Sequence, residues 1–215
     1  MIAIVGPTAS GKTSLAIEIA KNWNGEIICA DSRTIYKGMN IGTAKPTSEE
    51  QVLVPHWGLD LVEPGEAFSA ADFQRYAKSA IADIQARRKL PIIVGGTGLY
   101  VDALLYNFTF GPPADAAKRS ELEGMTIEEL ITYCKKNNII LPANDKNKRH
   151  LVRAIERSSI SAISKTALPN DYVVVGLATK MLTLRTRIAH RTEQLFEIGV
   201  EKEATKKKKK YGWNS

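Results

Sequence analysis

Short apolar runs alternate along this chain with longer segments in which apolar residues recur every three or four positions. The short runs have the length of buried strands, and they lie at residues 2–5, 26–30, 91–94 and 172–177. Helical spacing follows the first run, extends from Ser69 to the basic residues 87–89, and returns at 98–105 and 182–198. This alternation predicts an α/β fold with a doubly wound parallel sheet, whose ligand sites lie beyond the carboxyl ends of the strands.

The strand pattern stops in the middle of the chain. Residues 110–164 carry no strand signal, and two segments with helical spacing replace it at 127–137 and 148–158. We therefore predict a helical insertion in this region, within a catalytic core that consists of residues 1–109 and 165–203.

Positive charge is concentrated in the second half of the chain. The net charge is +7, but residues 1–110 carry 10 Lys and Arg against 11 Asp and Glu, whereas residues 111–215 carry 20 against 12. Clustered cations displace counterions from a phosphate backbone, so this asymmetry suggests a polyanionic partner, with an ordinary solvated basic surface as the alternative. The last residues, 204–215, include the lysine run 206–210 and are predicted to form a flexible basic tail.

The composition is that of a globular protein. The chain has 215 residues, 44% of them hydrophobic, and no apolar run of 18 residues or more. Met1 leads directly into the first strand and leaves no room for a signal peptide, while Cys29 and Cys134 are too few for a disulfide framework. We therefore expect a cytoplasmic monomer with reduced cysteines and no membrane segment.

The first strand runs into a predicted phosphate-binding loop (a P-loop) that fits G-x-x-x-x-G-K-[ST]. In this pattern, the glycines let backbone N–H groups turn inward around oxyanions, the following helix directs its positive end at them, the lysine adds a charge, and the last hydroxyl reaches magnesium. The predicted diphosphate-binding residues are Gly6, Pro7, Thr8, Ala9, Ser10, Gly11, Lys12 and Thr13. Thr13 is the predicted ligand of Mg²⁺. The motif alone does not identify the polyphosphate, and a chance match is its alternative.

Asp31 directly follows the second predicted strand. In a doubly wound sheet this position faces a ligand held by the loop of the first strand, so Asp31 is a candidate general base. In an ATPase, an acid after an apolar run would instead be a magnesium ligand. The strand at 91–94 ends in Gly95 and Gly96 without an acid, which disfavours an ordinary ATP-hydrolysing engine.

Three motifs occur along the chain in a fixed order. They are GPTASGKT at residues 6–13, DS at 31–32 followed by IYKGMNIGTAKPT at 35–47, and VGGTGLY at 94–100. Together they closely resemble the motifs of the tRNA dimethylallyltransferases. Weaker similarities extend the resemblance to about residue 203.

The resemblance implies transfer of a dimethylallyl group from dimethylallyl diphosphate to the exocyclic amine of an adenosine beside the tRNA anticodon, with Mg²⁺. An amine that attacks an allylic carbon needs an acceptor for its proton and a clamp for the negative charge on the leaving diphosphate. Asp31 corresponds to the acceptor, and Lys12, the loop amides and Arg191 correspond to the clamp. Thr97 matches a family threonine at the reacting centre, although an ordinary turn residue is the alternative.

The resemblance also implies two segments that contact tRNA, because an extruded base and its phosphates need a polar pocket and a basic track. The residues so identified are Asp31, Ser32, Arg33 and Thr34 around the target base, and Arg149, His150 and Arg153 in the insertion. His150 departs from the family's Gln-Arg or Arg-Arg pattern. Nothing here matches the terminal segment with which the family grips the anticodon stem, so we expect weaker tRNA binding than in a full-length relative.

Two other classes of function remain open from the sequence. A small-molecule kinase would use the same loop, but it would need the transferable phosphoryl group of ATP. An adenine-nucleotide prenyltransferase shares the loop and has less reason for a basic helical insertion. An RNA-binding module switched by a nucleotide would need no acid at the position of Asp31.

Overall fold

The structure is a computed structural model, and it describes residues 1–110, 115–158 and 164–212. The chain divides into two compact units. The first unit is Met1–Asn107 together with Thr166–Ser215, and the second is Phe108–Lys165. The second unit contains the region in which the sequence predicts a helical insertion.

The first unit is built on a parallel sheet. Its strands within the described residues are β1 (Ile2–Val5), β2 (Gly25–Cys29), β3 (His56–Trp57), β4 (Leu90–Gly95) and β5 (Val173–Gly176). They lie in the order β3-β2-β4-β1-β5, and each pairs in parallel with its neighbours. The predicted doubly wound α/β fold is therefore confirmed. The sequence analysis missed β3, because two residues are too few to show a hydrophobic period.

Helices connect the strands and form the second unit. In chain order they are α1 (Lys12–Asn22), α2 (Ser48–Leu53), α3 (Ala70–Ala86), α4 (Gly98–Leu105), α5 (Ala116–Gly124), α6 (Ile127–Lys136), α7 (Lys148–Ser158), α8 (Met181–Glu197) and α9 (Val200–Tyr211). The predicted start of α3 is confirmed, since the Ser69 side chain accepts from the backbone N–H of Asp72 and the Asp72 carboxylate accepts from that of Ser69. No helix in the described ranges is long and apolar enough to cross a lipid bilayer.

The core of the first unit lies between the sheet and its helices. Ile4, Ile27 and Ile92, from three adjacent strands, are buried together with Ala16 and Ile17 of α1. Each buried aliphatic side chain of this size contributes about 1.5–3 kcal/mol relative to an exposed one. This core holds β1, β2 and β4 in register, so the loops that follow them emerge at one edge of the sheet.

A glycine at the end of β4 lets two of these loops approach closely. A Cβ atom at Gly95 would lie 2.0 Å from the carbonyl oxygen of Ala30, so only glycine fits beside the end of β2. The backbone N–H of Ala30 donates to the carbonyl of Val94 at 2.7 Å, and the N–H of Thr97 donates to the carbonyl of Ala30 at 3.3 Å. The segments after β2 and β4 are thereby joined.

The second unit has its own small core. Leu122 of α5, Leu130 and Cys134 of α6, and Leu151 and Ile155 of α7 are buried together. A capping box at Thr126 starts α6, with mutual hydrogen bonds between Thr126 and Glu129. The predicted helices at 127–137 and 148–158 are α6 and α7, whereas α5 was not predicted.

The segment after residue 199 differs from the predicted flexible tail. Residues 200–211 form α9, which begins after Gly199 in the left-handed conformation (φ 100°). Glu201 and Glu203 lie in its first turn and lysines in its last, an arrangement that complements the helix dipole. Lysine is also a good helix former, so the like-charge pattern was misread for residues 204–211. Residues 213–215 lie outside the described residues.

Candidate active site

The predicted phosphate loop connects β1 to α1. Gly6 has φ 153°, and a Cβ atom there would lie 2.8 Å from the carbonyl oxygen of Leu177, which follows β5. Gly11 precedes α1 with φ 93°, and no atom lies within 4 Å of the place of its missing Cβ. The loop is therefore pressed against the sheet edge at one glycine and open at the other.

The polar groups of this loop fit an oxyanion. The Oγ of Ser10 is buried and has no hydrogen-bond partner among the described residues. A buried hydroxyl without a partner costs about 1–3 kcal/mol, which a phosphate oxygen in the loop would offset. The ammonium of Lys12 donates to the carbonyl oxygens of Gly6 at 2.9 Å and Pro7 at 2.7 Å, so it lies over the loop.

Lys12 shares an electrostatic environment with two residues that are distant in sequence. Burial of its ammonium lowers the pKa of Lys12, the carboxylate of Asp31 opposes that shift, and the guanidinium of Arg191 adds to it. The structure thus brings together Lys12, Asp31 and Arg191, which the sequence analysis had assigned to one site.

Asp31 is half-buried at the end of β2. One carboxylate oxygen, Oδ1, accepts from the backbone N–H of Arg33 at 2.7 Å, which fixes the turn after the strand. In the part of the chain that the structure describes, the carboxylate makes no other hydrogen bond. The remaining lone pairs of Asp31 can therefore accept a proton from a ligand.

Thr97 connects the segments that follow β2 and β4. Its Oγ1 accepts from the backbone N–H of Ser32 at 3.0 Å and lies 3.3 Å from the hydroxyl of Ser32. A hydroxyl with these two partners holds Thr97 next to the residue that follows Asp31. Thr97 also precedes α4 as its N-cap residue.

The residues after Asp31 differ in accessibility. Ser32 is half-buried and Arg33 is exposed, so both side chains have access to solvent beside the carboxylate. Thr34 is only 5% exposed, and its hydroxyl lies 3.5 Å from the carbonyl oxygen of Asp31. Thr34 is therefore buried beneath the turn formed by residues 31–33, and its side chain is not accessible as those of Ser32 and Arg33 are.

Two arginines of α8 reach toward the loops. Arg191 donates from Nη2 to the carbonyl oxygen of Ala44 at 3.4 Å, and Arg187 donates from Nη1 to the carbonyl oxygen of Ala9, in the phosphate loop, at 3.2 Å. Residues four apart share one face of a helix. Arg187 was not among the predicted site residues, although this spacing from Arg191 is a signal that would have identified it.

The predicted RNA-contacting residues of the insertion lie on α7 in the second unit. Arg149, His150 and Arg153 are all exposed, on a helix whose Leu151 and Ile155 are buried. Arg149 also lines an open groove of about 470 Å³ with other residues of α5 and α7. One face of α7 therefore packs into the core of the second unit, and the other face exposes Arg149 and Arg153.

The donor groups of the site suit a magnesium ion that is held mainly by a diphosphate. Thr13 is half-buried in the first turn of α1, beside the phosphate loop. The described ranges contain no group of three or more His, Cys, Asp or Glu residues able to hold a metal. Mg²⁺ usually keeps several waters and binds substrate phosphates with few protein ligands. In a P-loop, one of those ligands is the hydroxyl at the position of Thr13.

Family models match nearly the whole chain. The model described as "IPP transferase" matches residues 34–214, and that described as "Isopentenyl transferase" matches residues 1–57. The tRNA dimethylallyltransferase of Oceanobacillus iheyensis is 40% identical over an alignment 218 residues long. The alignment covers 94% of this chain and 70% of that protein. The tRNA dimethylallyltransferase of Streptococcus pneumoniae (strain Hungary19A-6) is 41% identical over 209 residues, with 95% and 70% covered.

Solved structures agree with these matches. The full-length tRNA isopentenylpyrophosphate transferase from Bacillus halodurans superposes with a TM-score of 0.71 at 39% identity, covering 99% of this chain and 71% of that one. A eukaryotic dimethylallyltransferase, crystallised acting on tRNA, has a TM-score of 0.77 at 25% identity and covers 100% and 57%. The resemblance seen in the sequence is confirmed, and the chain belongs to the IPP transferase family, a family of prenyl-transferring enzymes that includes these tRNA dimethylallyltransferases.

Proposed function

We propose that this protein transfers a dimethylallyl group from dimethylallyl diphosphate to the exocyclic amine of an adenosine in the anticodon region of a tRNA, and releases diphosphate. One observation carries the proposal. The carboxylate of Asp31, which accepts one hydrogen bond, and the guanidinium of Arg191 both lie within electrostatic range of Lys12 in the phosphate loop. An anion clamp beside a proton acceptor is the arrangement that this transfer requires.

In this reaction, the amine nitrogen forms a bond to the allylic carbon while the bond from that carbon to the diphosphate oxygen breaks. The electron pair of the broken bond leaves with diphosphate, and the amine loses a proton to the carboxylate of Asp31. Asp31 is suited to this because one of its oxygens orients the carboxylate through Arg33 N–H and the other has no partner in the described chain. Thr97 is hydrogen-bonded to Ser32, the residue that follows this acceptor.

The proposed role of the phosphate loop and its cations is to bind the leaving diphosphate. Its oxygens would accept hydrogen bonds from the loop amides and the Ser10 hydroxyl, and the Lys12 ammonium would turn from the carbonyls of Gly6 and Pro7 to the anion. Arg191 would approach from α8. Mg²⁺, when bound by Thr13 and the diphosphate, supplies further positive charge to the leaving oxygens.

The tRNA would be held by two sets of residues. Ser32 and Arg33 are accessible beside Asp31, where an adenine taken out of the base stack must lie to present its amine. The exposed cations Arg149 and Arg153 of α7, together with the exposed imidazole of His150, have the chemistry of a phosphate track.

Incubation with radiolabelled dimethylallyl diphosphate, Mg²⁺ and unmodified tRNA tests the proposal. We expect label to enter the RNA at one adenosine, and we expect Asp31→Asn, which preserves the shape of the side chain, to abolish incorporation. Parallel reactions with AMP as the acceptor, and with ATP labelled at its γ-phosphate, test a nucleotide prenyltransferase and a kinase. Label in AMP but not in tRNA, or transfer of phosphate from ATP, would contradict the proposal.

Chelation of divalent cations tests the metal separately. We expect transfer to stop when EDTA is added and to return when Mg²⁺ is restored. Undiminished transfer in excess EDTA would exclude the proposed role of Thr13 as a magnesium ligand.

A further inference from the structure

One carboxylate of α9 is bound by a turn of backbone from a distant part of the first unit. The side chain of Glu203 accepts at Oε2 from the N–H groups of Asn40 at 2.7 Å and Ile41 at 2.9 Å, and at Oε1 from that of Gly42 at 2.9 Å. Successive backbone N–H groups that converge in this way form an anion-binding nest. Hydrogen bonds to a charged acceptor are about twice as strong as those between neutral groups, so Glu203 holds this turn firmly.

Two further residues of α9 contact the same region at regular intervals. Lys207 donates to the carbonyl oxygen of Lys37 at 2.8 Å, and the hydroxyl of Tyr211 donates to the carboxylate of Glu63. Glu203, Lys207 and Tyr211 are spaced four residues apart and therefore share one face of the helix. The same face of α9 therefore contacts residues 37, 40–42 and 63.

The turn that binds Glu203, residues 40–44, also contacts Arg191. Within it, the N–H of Ala44 donates to the carbonyl oxygen of Ile41 at 2.9 Å, and the carbonyl oxygen of Ala44 accepts from Arg191 at 3.4 Å. Ala44 has φ 50°, a left-handed conformation that a residue with a Cβ adopts at a cost and keeps only where its surroundings hold it. The amides that bind Glu203 are thus part of the same turn as the carbonyl that contacts Arg191.

We propose that Glu203 is a positioning residue for the diphosphate clamp, which acts on Arg191 through residues 40–44. Its carboxylate fixes the amides of this turn, the turn holds the Ala44 carbonyl, and that carbonyl orients the guanidinium of Arg191 toward the phosphate loop. The inference rests on the proposed function, because it takes the leaving diphosphate as the ligand of Arg191. A Glu203 that merely attached α9 to the protein would leave the affinity for diphosphate unchanged.

The first test compares Glu203→Ala and the isosteric Glu203→Gln with Glu201→Gln, a matched control on the exposed first turn of the same helix. Inorganic pyrophosphate binding is measured by calorimetry with Mg²⁺, and exchange of the backbone amides of residues 40–42 by hydrogen–deuterium exchange. We expect Glu203→Ala to weaken pyrophosphate binding by roughly 10-fold, within the 100-fold that a misplaced clamp can cost, and to speed amide exchange. Glu203→Gln should have a smaller effect in the same direction, Glu203→Asp should restore most of the affinity, and Glu201→Gln should match the wild type.

A double variant then tests whether Glu203 acts through Arg191. If it does, adding Glu203→Ala to Arg191→Ala should weaken pyrophosphate binding no further, because the group that Glu203 positions is already absent. Fully additive losses would overturn the proposal, and so would faster amide exchange with unchanged pyrophosphate affinity. Neither measurement requires turnover. Failure of the wild-type protein to modify tRNA would therefore reject the proposed function, while the role of Glu203 would still be decided by these two measurements.

Discussion

Polar side chains at the two ends of the parallel sheet differ in how many hydrogen-bond partners they have. At the carboxyl end, the Oγ of Ser10 is buried without a described partner, and the carboxylate of Asp31 accepts one hydrogen bond. Toward the amino end, Glu26 of β2 is 1% exposed and fully partnered. Its carboxylate accepts from the guanidinium of Arg87, from Lys89 at 2.8 Å and from the indole N–H of Trp57 at 2.8 Å.

This difference separates groups that stabilise the fold from groups that are kept for a ligand. The hydrogen bonds from Arg87, aided by those from Lys89 and Trp57, hold the pKa of Glu26 at about 2 even though burial acts to raise it. A carboxylate in this state is ionised at every physiological pH and has no lone pair to offer. The carboxyl end instead keeps acceptors and donors that have no partner in the described chain and that a substrate can bind, and this is typical of a functional site.

The largest expected effect comes from removing the proton acceptor at the carboxyl end. We predict that Asp31→Ala lowers kcat for transfer to tRNA by roughly 100- to 10,000-fold, since general-base catalysis contributes that much to the chemical step. Dimethylallyl diphosphate affinity and melting temperature should change little, because Asp31 is half-exposed and its carboxylate accepts a single hydrogen bond within the described residues, from the Arg33 N–H. Near-normal turnover would remove Asp31 from the proposed mechanism.

Removing a cation from the clamp should have a somewhat smaller effect on rate but a clear effect on binding. We predict that Lys12→Ala and Arg191→Ala each lower kcat by roughly 100- to 1,000-fold, because both charges face a leaving group whose negative charge grows in the transition state. Both variants should also raise the Kd for dimethylallyl diphosphate. An Arg191→Ala protein with unchanged rate and donor affinity would show that the arginine was assigned wrongly.

The amino end should show the reverse, a change in stability without a change in chemistry. We predict that Glu26→Gln lowers the free energy of unfolding at pH 7 by about 1–3 kcal/mol, since buried donors lose part of their charged acceptor. Urea denaturation measures this loss, and kcat of the folded variant should equal that of the wild type. A drop in kcat that exceeds the unfolded fraction would break the separation between the two ends.

The stabilisation lost in Glu26→Gln should depend on pH. The pKa of Glu26 is lower in the folded protein, at about 2, than the ordinary value of 4.5. Its stabilisation is therefore fully present above pH 4.5 and is lost as the pH falls from 4.5 toward 2. The difference in unfolding free energy between the wild type and Glu26→Gln should shrink over this range, and a constant difference would contradict the assignment.

The smallest effect concerns α9, whose exposed lysines belong to neither end of the sheet. Lys206 and Lys209 are exposed on this helix. We predict that changing both to Gln reduces the slope of log tRNA affinity against log salt by about 0.7 for each lost phosphate contact. Transfer rates at saturating tRNA should not change. Replacement by Arg, which preserves the charge, is the control and should leave the slope as it was.

The sequence predicted those parts of the fold and site that depend on neighbouring residues. The glycine spacing of residues 6–13 and the apolar run before it identify a strand, a loop and a helix, because each contact there spans only a few residues. The capping box at Ser69 likewise identified the start of α3. Local charge was less reliable. The lysines of 206–210 predicted a mobile tail, whereas their place after an acidic first turn makes them the end of a helix.

Only the tertiary structure decided which distant groups meet. The contact of Arg187 with the phosphate loop joins residues 178 positions apart, and that of Glu203 with Asn40 joins residues 163 apart. Helical spacing relates Arg187 to Arg191, but no hydrophobic period shows which loop either residue contacts, because that follows from how the helices after β5 return to the carboxyl edge of the sheet. The sequence by itself therefore determined the family, the sheet and the loop that cradles an anion. The packing of the chain decided that Arg187 also reaches that loop, which carboxylate binds residues 40–42, and which carboxylate is fully partnered for stability.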